Sequence, residues 1–263
     1  MIKIVSFDLD GTLMDSQGKV REECIKVLEI IKKNGIKIIF NTARPYQLIP
    51  QYLYEKFKED YWILSNGTTI MSNDVILQDI KINSKDVVEL LDWLPNTLKN
   101  EFFSVESKGS IYSSHDCPIT CENYFSKQVD ENWIKSKGVN KILFIPSNGK
   151  EFNVMLDKIN IDFLPKNIKL IVTDNYKYFQ FMPATESKLT AVEYILKIEN
   201  NELFNVMAFG NDINDLDLLD KCGHPVAPEN AVSEIKLIAK EIVGHNNDRG
   251  VSKYVESFFS LNS

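Results

Sequence analysis

The sequence predicts an α/β protein: a doubly wound parallel sheet interrupted by an inserted α+β domain. Three observations predict it. Short apolar runs alternate with amphipathic stretches over the first 80 residues. The texture then changes to paired short strands. After Pro183 the alternation returns. Strand–helix–strand units of this length imply right-handed crossovers and a parallel sheet. The expected division is therefore 1–80 and 184–263 for the α/β core, with 81–183 as the insert.

The elements follow in order. "IKIVSF" reads as a first strand. "VREECIKVLEIIKKNG" places Cys24, Val27, Leu28 and Ile31 on one helical face and ends at Gly35, a residue suited to the position after a helix. "IKIIFNTA" is a second strand, and "RPYQLIPQYLYEKF" is expected to be a helix with Pro45 near its first position. "YWILSNG" is a third strand, closing on a turn at Asn66-Gly67. In the insert, the helix "SKDVVELLDWL" accompanies the strands "FFSVES", "KILFIP", "KLIVTD" and "KYFQFM". The last two form a hairpin turning at Asp174-Asn175. Beyond Pro183 come a helix over 186–199, a strand over 204–210, a helix over 214–221, then "HPVAP" and another helix from about 230.

Composition narrows the function. The 263 residues are 44% hydrophobic and 25% charged, ordinary for a globular protein. A formal charge of −7 argues against bulk binding to nucleic acid or to an anionic membrane. No apolar run reaches the 18 or so residues that span a bilayer, and the N-terminus carries Asp8 where a signal peptide would have its apolar core. Cytoplasmic residence is the expectation. Cys24, Cys117, Cys121 and Cys222 form no CxxC pair. His115, Cys117 and Cys121 lack a fourth zinc ligand, so reduced thiols are the preferred reading.

Ligands of open α/β sheets bind at the carboxyl ends of strands, so those ends are where chemistry is expected. The first strand ends in "FDLDGTLMDS". Asp8 and Asp10 point to one side of an extended chain, and Gly11 permits a sharp turn. Two carboxylates this close repel, and they need a cation, a proton or another compensation. The second strand ends at Thr42, whose hydroxyl could donate to an anionic oxygen or merely cap the next helix. Lys188 opens the 186–199 helix, where the dipole does not favour it. The fourth core strand runs into "FGNDINDLDLL", with Asn211, Asp212, Asn214 and Asp215 in five positions. One helix cap needs one such residue. Four suggest a cation site.

This set resembles the haloacid dehalogenase superfamily of aspartyl-phosphate phosphatases, in the Cof-type, class IIB branch with a large α+β cap inserted after the third strand. "DLDGTL", "NTARP", Lys188 in "ESKLTAVEYIL" and "GNDINDLDLL" are similar to its four motifs. "SNGT" at 65–68 and "NNDRGV" at 246–251 are similar to other segments of that branch. The resemblance implies a Rossmann-like core and a phosphoric monoester hydrolase acting on a small phosphorylated metabolite, a sugar phosphate foremost, beneath the cap. It implies Asp8 as nucleophile, Asp10 as general acid and base, and Thr42 and Lys188 as catalytic holders of phosphate oxygens. Gly11, Arg44, Asn66, Gly67 and Asn214 fall at phosphate- or substrate-binding positions. Mg²⁺ is the implied cofactor, with Asp8, the Asp10 carbonyl, Asn211 and Asp215 around it.

Three positions depart from the pattern. Asn211 stands where a metal-binding aspartate is usual, and an amide brings oxygen without charge. Asp212 is the alternative ligand if the turn differs, but the Asn214-Asp215 pair anchors the register that favours Asn211. Ala43 and Leu189 stand where glycine is common. Two other functions stay open from the residues: a sugar phosphomutase that returns the phosphoryl group to its substrate, and a non-catalytic phosphometabolite-binding protein.

Overall fold

The computed structural model describes residues 1–93, 102–113, 135–145, 164–174 and 177–259. The opening segment runs β1 (Ile4–Phe7), α1 (Glu22–Lys33), β2 (Lys37–Asn41), α2 (Gln51–Phe57), β3 (Tyr61–Leu64), β4 (Thr69–Ser72) and β5 (Val75–Asp79). Next come α3 (Ser84–Trp93), β6 (Phe102–Ser107), β7 (Ser110–Ser113), β8 (Lys141–Ile145), β9 (Ile168–Thr173) and β10 (Tyr178–Pro183). The closing segment is α4 (Lys188–Ile198), β11 (Val206–Phe209), α5 (Leu216–Lys221), β12 (His224–Pro228), α6 (Ser233–Ile238), β13 (Glu241–Val243) and α7 (Gly250–Phe258). His115, Cys117 and Cys121 lie outside the described residues, while Cys24 and Cys222 are buried free thiols. Among the described residues no helix is long and apolar enough to cross a membrane.

Two compact units result. The first comprises Met1–Arg44, Leu48–Leu77 and Ser187–Ser263, and the second Pro45–Gln47 and Gln78–Glu186. An eight-stranded sheet has the order β13-β12-β11-β1-β2-β3-β4-β5. The pairs from β13 through β3 are parallel, and β4 returns antiparallel to β3. β1 and β11 are apolar in nearly every position and wholly buried, as strands covered on both faces must be. The sheet grows outward from β1 in both directions, so the junction of β1 and β11 is its topological switch point. Phe7 and Phe209 face each other there in register and stack with centroids 5.2 Å apart. Such a pair contributes about 0.5–1.5 kcal/mol beyond its buried area.

Two segments differ from their sequence expectations. The "RPYQLIPQYLYEKF" helix does not start at Pro45. Tyr46–Leu48 makes one 3₁₀ turn, and α2 starts at Gln51 with Pro50 as its N-cap residue. Pro50 has no N–H to offer a preceding turn and disfavours helical geometry at Ile49, so the helix begins only after it. The sheet also continues beyond β3. Ser65, Asn66 and Gly67 all have positive φ and turn the chain into β4. Asn73 and Asp74, likewise at positive φ, turn it again into β5. Asn and Asp tolerate that conformation, the geometry of a tight hairpin turn.

In the second unit the sheet is antiparallel throughout, with the order β7-β6-β8-β10-β9. Alternation assigns its two faces. Val105, Ile142, Phe144, Phe179 and Phe181 pack with Val87 and Leu90 of α3. The opposite face carries Lys141, whose Nζ lies 3.0 Å from Glu106 Oε1 and donates to Gln180 Oε1 at 3.0 Å. Gln180 in turn donates to Thr173 Oγ1 at 2.8 Å. Pro45–Gln47 joins this unit through Gln47, whose N–H donates to the Gly109 carbonyl and whose Oε1 accepts from the Ile111 N–H.

The Phe7–Phe209 stack is expected to hold the switch point together. Phe209→Ala should lower the unfolding free energy by about 3–5 kcal/mol in urea titrations, as loss of a fully buried aromatic does. A loss below 1 kcal/mol would mean the stack is dispensable.

Candidate active site

The chain beyond β1 closes into a tight loop. Asp8 N–H donates to the Phe209 carbonyl, carrying the strand pairing one residue past β1. Leu13 and Met14 N–H then return to the carbonyls of Asp8 and Leu9. Gly11 sits at φ +74°, and a Cβ there would meet the Asn211 side chain at 2.6 Å. Glycine is therefore required both for backbone and for space. Asn230 Nδ2 donates to the Gly11 carbonyl and Asn246 Nδ2 to the Met14 carbonyl, so the loop is held at both ends from the C-terminal region.

Three charged side chains meet in the interior behind this loop. Lys188 Nζ donates to Asp8 Oδ1 at 2.7 Å and to Asp215 Oδ1 at 2.5 Å. Lys188 is 1% exposed, Asp215 2% and Asp8 6%. Lys188 is delivered by the start of α4, where Ser187 accepts from the Thr190 N–H and Thr190 Oγ1 accepts from the Ser187 N–H. That reciprocal cap fixes the first turn and offsets the poor fit of a cation there. Burial disfavours the Lys188 ammonium, but Asp215 and then Asp8 outweigh it and hold its pKa above the ordinary lysine range. One ammonium cannot balance two buried carboxylates. Burial, opposed by Lys188 and reinforced by Asp215, pushes the Asp8 carboxyl up to about 8.

The four polar residues after β11 divide into four jobs. Asp215 Oδ2 accepts from the N–H groups of Asn211 and Asp212, so with Lys188 on Oδ1 both its oxygens are engaged by the protein. Asp212 caps the short turn at 213–215 and accepts from the Ile213 N–H at 2.8 Å. Asn214 donates to Asn66 Oδ1 at 2.9 Å. Asn211 turns inward. Its inner amide position lies 3.1 Å from Asp8 Oδ2, 2.8 Å from the Asp10 carbonyl oxygen and 2.8 Å from Thr12 Oγ1.

The remaining expected residues lie at the margins of this cluster. Thr42 is fully buried at the end of β2, and its Oγ1 accepts from the Arg44 N–H. Arg44 grips the Asp10 carboxylate with two bonds, Nε to Oδ2 at 2.7 Å and Nη2 to Oδ1 at 2.6 Å. The Asp10 carboxylate is thus held by Arg44, and its backbone carbonyl is what reaches Asn211. Gly67 lies at φ +102° against the Ser187 backbone, so a side chain there would collide with the start of α4. Thr12, Asn41, Asn230 and Asn246 were not singled out in the sequence. Asn41 Nδ2 donates to the Lys188 carbonyl at 3.4 Å. Their contacts come from residues 147 to 232 positions away, which spacing cannot reveal. Three of them lie in segments the sequence did mark, Thr12 in "DLDGTL", Asn41 in "NTARP" and Asn246 in "NNDRGV", while Asn230 had no signal.

Among the described residues no three carboxylate, imidazole or thiol side chains gather as a metal cluster. The oxygens that do converge are Asp8 Oδ2, the Asp10 carbonyl and, with its oxygen inward, Asn211 Oδ1. All are hard donors. Adjacent oxygens around an octahedral cation bound at about 2.0–2.1 Å are roughly 2.9 Å apart. The inner Asn211 position stands at 3.1 and 2.8 Å from the other two oxygens, so the set fits a small divalent cation.

A buried aspartate paired with a lysine therefore lies at the switch point of a doubly wound sheet, the place where such sheets bind their ligands. The family model for haloacid dehalogenase-like hydrolases matches residues 5–255, and the chain belongs to that family. A Streptococcus pyogenes protein, M6_Spy0533, named as a candidate phosphatase, is 26% identical over 98% of either chain. Phosphatase YwpJ of Bacillus subtilis is 22% identical over 95% of this chain and 98% of its own. The solved structure of BT4131, named a subclass IIB sugar phosphatase, superposes with a TM-score of 0.80 at 19% identity, covering 98% of this chain and 99% of that one.

The raised pKa of Asp8 has a consequence for the metal-free protein. Between about 4 and about 8 the folded state keeps a proton on Asp8 that the unfolded chain has lost. This contribution to stability is present below the unfolded pKa and disappears as pH rises through the folded one. In thermal melts with EDTA, wild type should lose stability relative to Asp8→Asn as pH is raised from 5.5 to 8. A wild type that gains on the variant over that range would show the assignment to be wrong.

Proposed function

We propose that the protein is a Mg²⁺-dependent phosphatase of small phosphorylated metabolites, with sugar phosphates as the substrate class. The observation that carries the reading is the Asp8 carboxylate. One oxygen is held by Lys188, and the other lies 3.1 Å from the Asn211 side chain, which also reaches the Asp10 carbonyl. A carboxylate so fixed loses little freedom on reaching a reacting centre.

In the first step Asp8 forms a bond to phosphorus while the bond to the leaving alcohol oxygen breaks, giving an aspartyl-phosphate. Asp10 gives its proton to that oxygen. In the second step water attacks the phosphorus, Asp10 takes its proton, and Asp8 leaves as carboxylate. The first step needs Asp10 protonated and released from Arg44. Lys188 and Thr42 hold phosphate oxygens, on which charge spreads in a loose transition state. Asp8, the Asp10 carbonyl and Asn211 would hold Mg²⁺, which supplies positive charge where an anionic carboxylate meets an anionic phosphate. Asp215 supports the site by orienting Lys188 and the loop at 211–212. The sugar-phosphate class is supported by likeness to BT4131, a protein named for that activity.

The test is phosphate release from an aryl phosphate and a panel of sugar phosphates, with and without Mg²⁺. Asp8→Asn should reduce turnover to background, and Asp10→Asn should reduce kcat by about 10²–10⁴-fold, the range of a lost general acid and base. Retained activity in Asp8→Asn would remove the nucleophile. No Mg²⁺-dependent release by wild type across the panel would remove the phosphatase reading itself.

A further inference from the structure

Asp8 is fixed at both its backbone and its side chain: its N–H donates to the Phe209 carbonyl and its Oδ1 accepts from Lys188. Asp10 lies beyond that anchorage, in the bend of the loop. It stands at φ −72°, ψ 120°, followed by Gly11 at φ 74°, ψ 1°, the dihedral pair of a type II turn. The Gly11 carbonyl of this turn accepts from Asn230 Nδ2 at 2.7 Å, a residue 219 positions away. The Met14 carbonyl accepts from Asn246 Nδ2 at 2.8 Å, and Asn247 Oδ1 accepts from the Ser16 N–H at 2.8 Å.

The first two asparagines are themselves joined, because the Asn246 N–H donates to Asn230 Oδ1 at 3.1 Å. That contact fixes the sense of the Asn230 amide. A backbone N–H only donates and a carbonyl only accepts, so the oxygen faces Asn246 and the nitrogen faces Gly11. Asn246 thus does two things at once: its side chain holds the end of the loop, and its backbone orients the residue that holds the bend.

We propose that Asn230 is a positioning residue for Asp10, with Asn246 as its support. The inference rests on the phosphatase reading above. In the structure Arg44 grips the Asp10 carboxylate with two bonds. When Asp10 acts as acid that grip is given up, and the place of its carboxyl then depends on the turn that carries it. The phosphorus–oxygen bond breaks, the Asp10 proton passes to the departing oxygen, and an alcohol and a carboxylate result. Asn230 keeps the turn where that transfer is in reach.

Two kinds of ester need this to different degrees. The oxygen of a sugar is a poor leaving group and departs with a proton, whereas a nitrophenolate departs without one. Displacing Asp10 by about 1 Å therefore slows the first reaction and spares the second. A loss of stability would reduce both alike.

The experiment measures kcat/KM at saturating Mg²⁺ for p-nitrophenyl phosphate and for the sugar phosphates of the panel. It compares wild type, Asn230→Ala, Asn230→Asp, Asn246→Asp and Asp10→Asn. This constant covers the steps up to transfer of the phosphoryl group to Asp8, so the later attack of water does not enter it. The quantity read is the ratio of sugar ester to aryl ester, which does not depend on how much of a variant is folded. Asp10→Asn should lose the sugar ester selectively. Asn230→Ala should lower the ratio about 10–100-fold, the effect of a small misplacement of a reacting group. Asn230→Asp sets an acceptor against the Gly11 carbonyl and should lower it at least as far. Asn246→Asp should lower it less, because Met14 is farther along the loop and its own N–H is held by the Leu9 carbonyl.

An equal loss on the two esters in both Asn230 variants, or no loss, overturns the proposal. So does an Asp10→Asn protein without the selective loss. A wild type that releases phosphate from the aryl ester alone also overturns it, since no alkoxide then needs a proton, while phosphoryl transfer itself stands. A wild type silent on every ester removes the phosphatase reading and this role together.

Discussion

A single buried ammonium organises the core unit. Lys188 stands between Asp8 and Asp215, side chains 180 and 27 residues away in sequence, and all three are almost wholly inside the protein. Burying charge is costly unless each group is paired and hydrogen-bonded, and removing one partner leaves the others exposed to that cost. The end of β1, the start of α4 and the loop after β11 must therefore arrive at one point together. The sheet makes this possible because β1 and β11 are neighbours at its switch point. The cap at Ser187 and Thr190 then determines where along α4 the lysine lies.

The imbalance of this triad also underlies the proposed reaction. Two carboxylates share one cation, and Asp8, not held by the loop as Asp215 is, is the one with an oxygen left over. That oxygen looks toward the Asn211 side chain, which also meets the Asp10 carbonyl, a place short of positive charge. In the proposed reaction a divalent cation would supply charge there, and a phosphate group would supply the electrophile for Asp8. Arg44 meanwhile keeps the Asp10 carboxylate apart from the buried cluster, so the two aspartates of "DLD" occupy different environments despite being two residues apart. Different environments give two carboxylates different roles, which a shared one could not.

Much of this was legible in the chain because it depends on local order. Apolar runs handing over to polar residues placed Asp8, Thr42 and Asn211 at strand ends, and helical periodicity placed Lys188 at a helix start. The parallel core and the separate antiparallel sheet followed from the spacing of strands and helices. The late start of α2 is readable in retrospect, since Pro50 carries the reason in its own chemistry. β4 and β5 were missed because their signal lies in left-handed Asn and Asp residues, which sequence treats as ordinary loop formers. The purpose of the stretch at 211–215 could be narrowed to capping or cation binding. It could not be divided among its residues, because partners of Asn211, Asn214 and Asp215 come from elsewhere in the chain.

The sequence by itself determined which chemical groups were available and at which ends of which elements they would stand, since backbone propensity and side-chain periodicity act over a few residues. Only the tertiary structure decided what each group meets. It put Asp215 on Lys188 and two backbone N–H groups, Asp212 on its own turn, Asn214 on Asn66, and Asn211 on Asp8. Hydrogen bonds and ion pairs depend on distances of a few tenths of an ångström, often between groups far apart in the sequence. Such distances are set by the packing of the sheet and helices as a whole, and not by any segment of the chain.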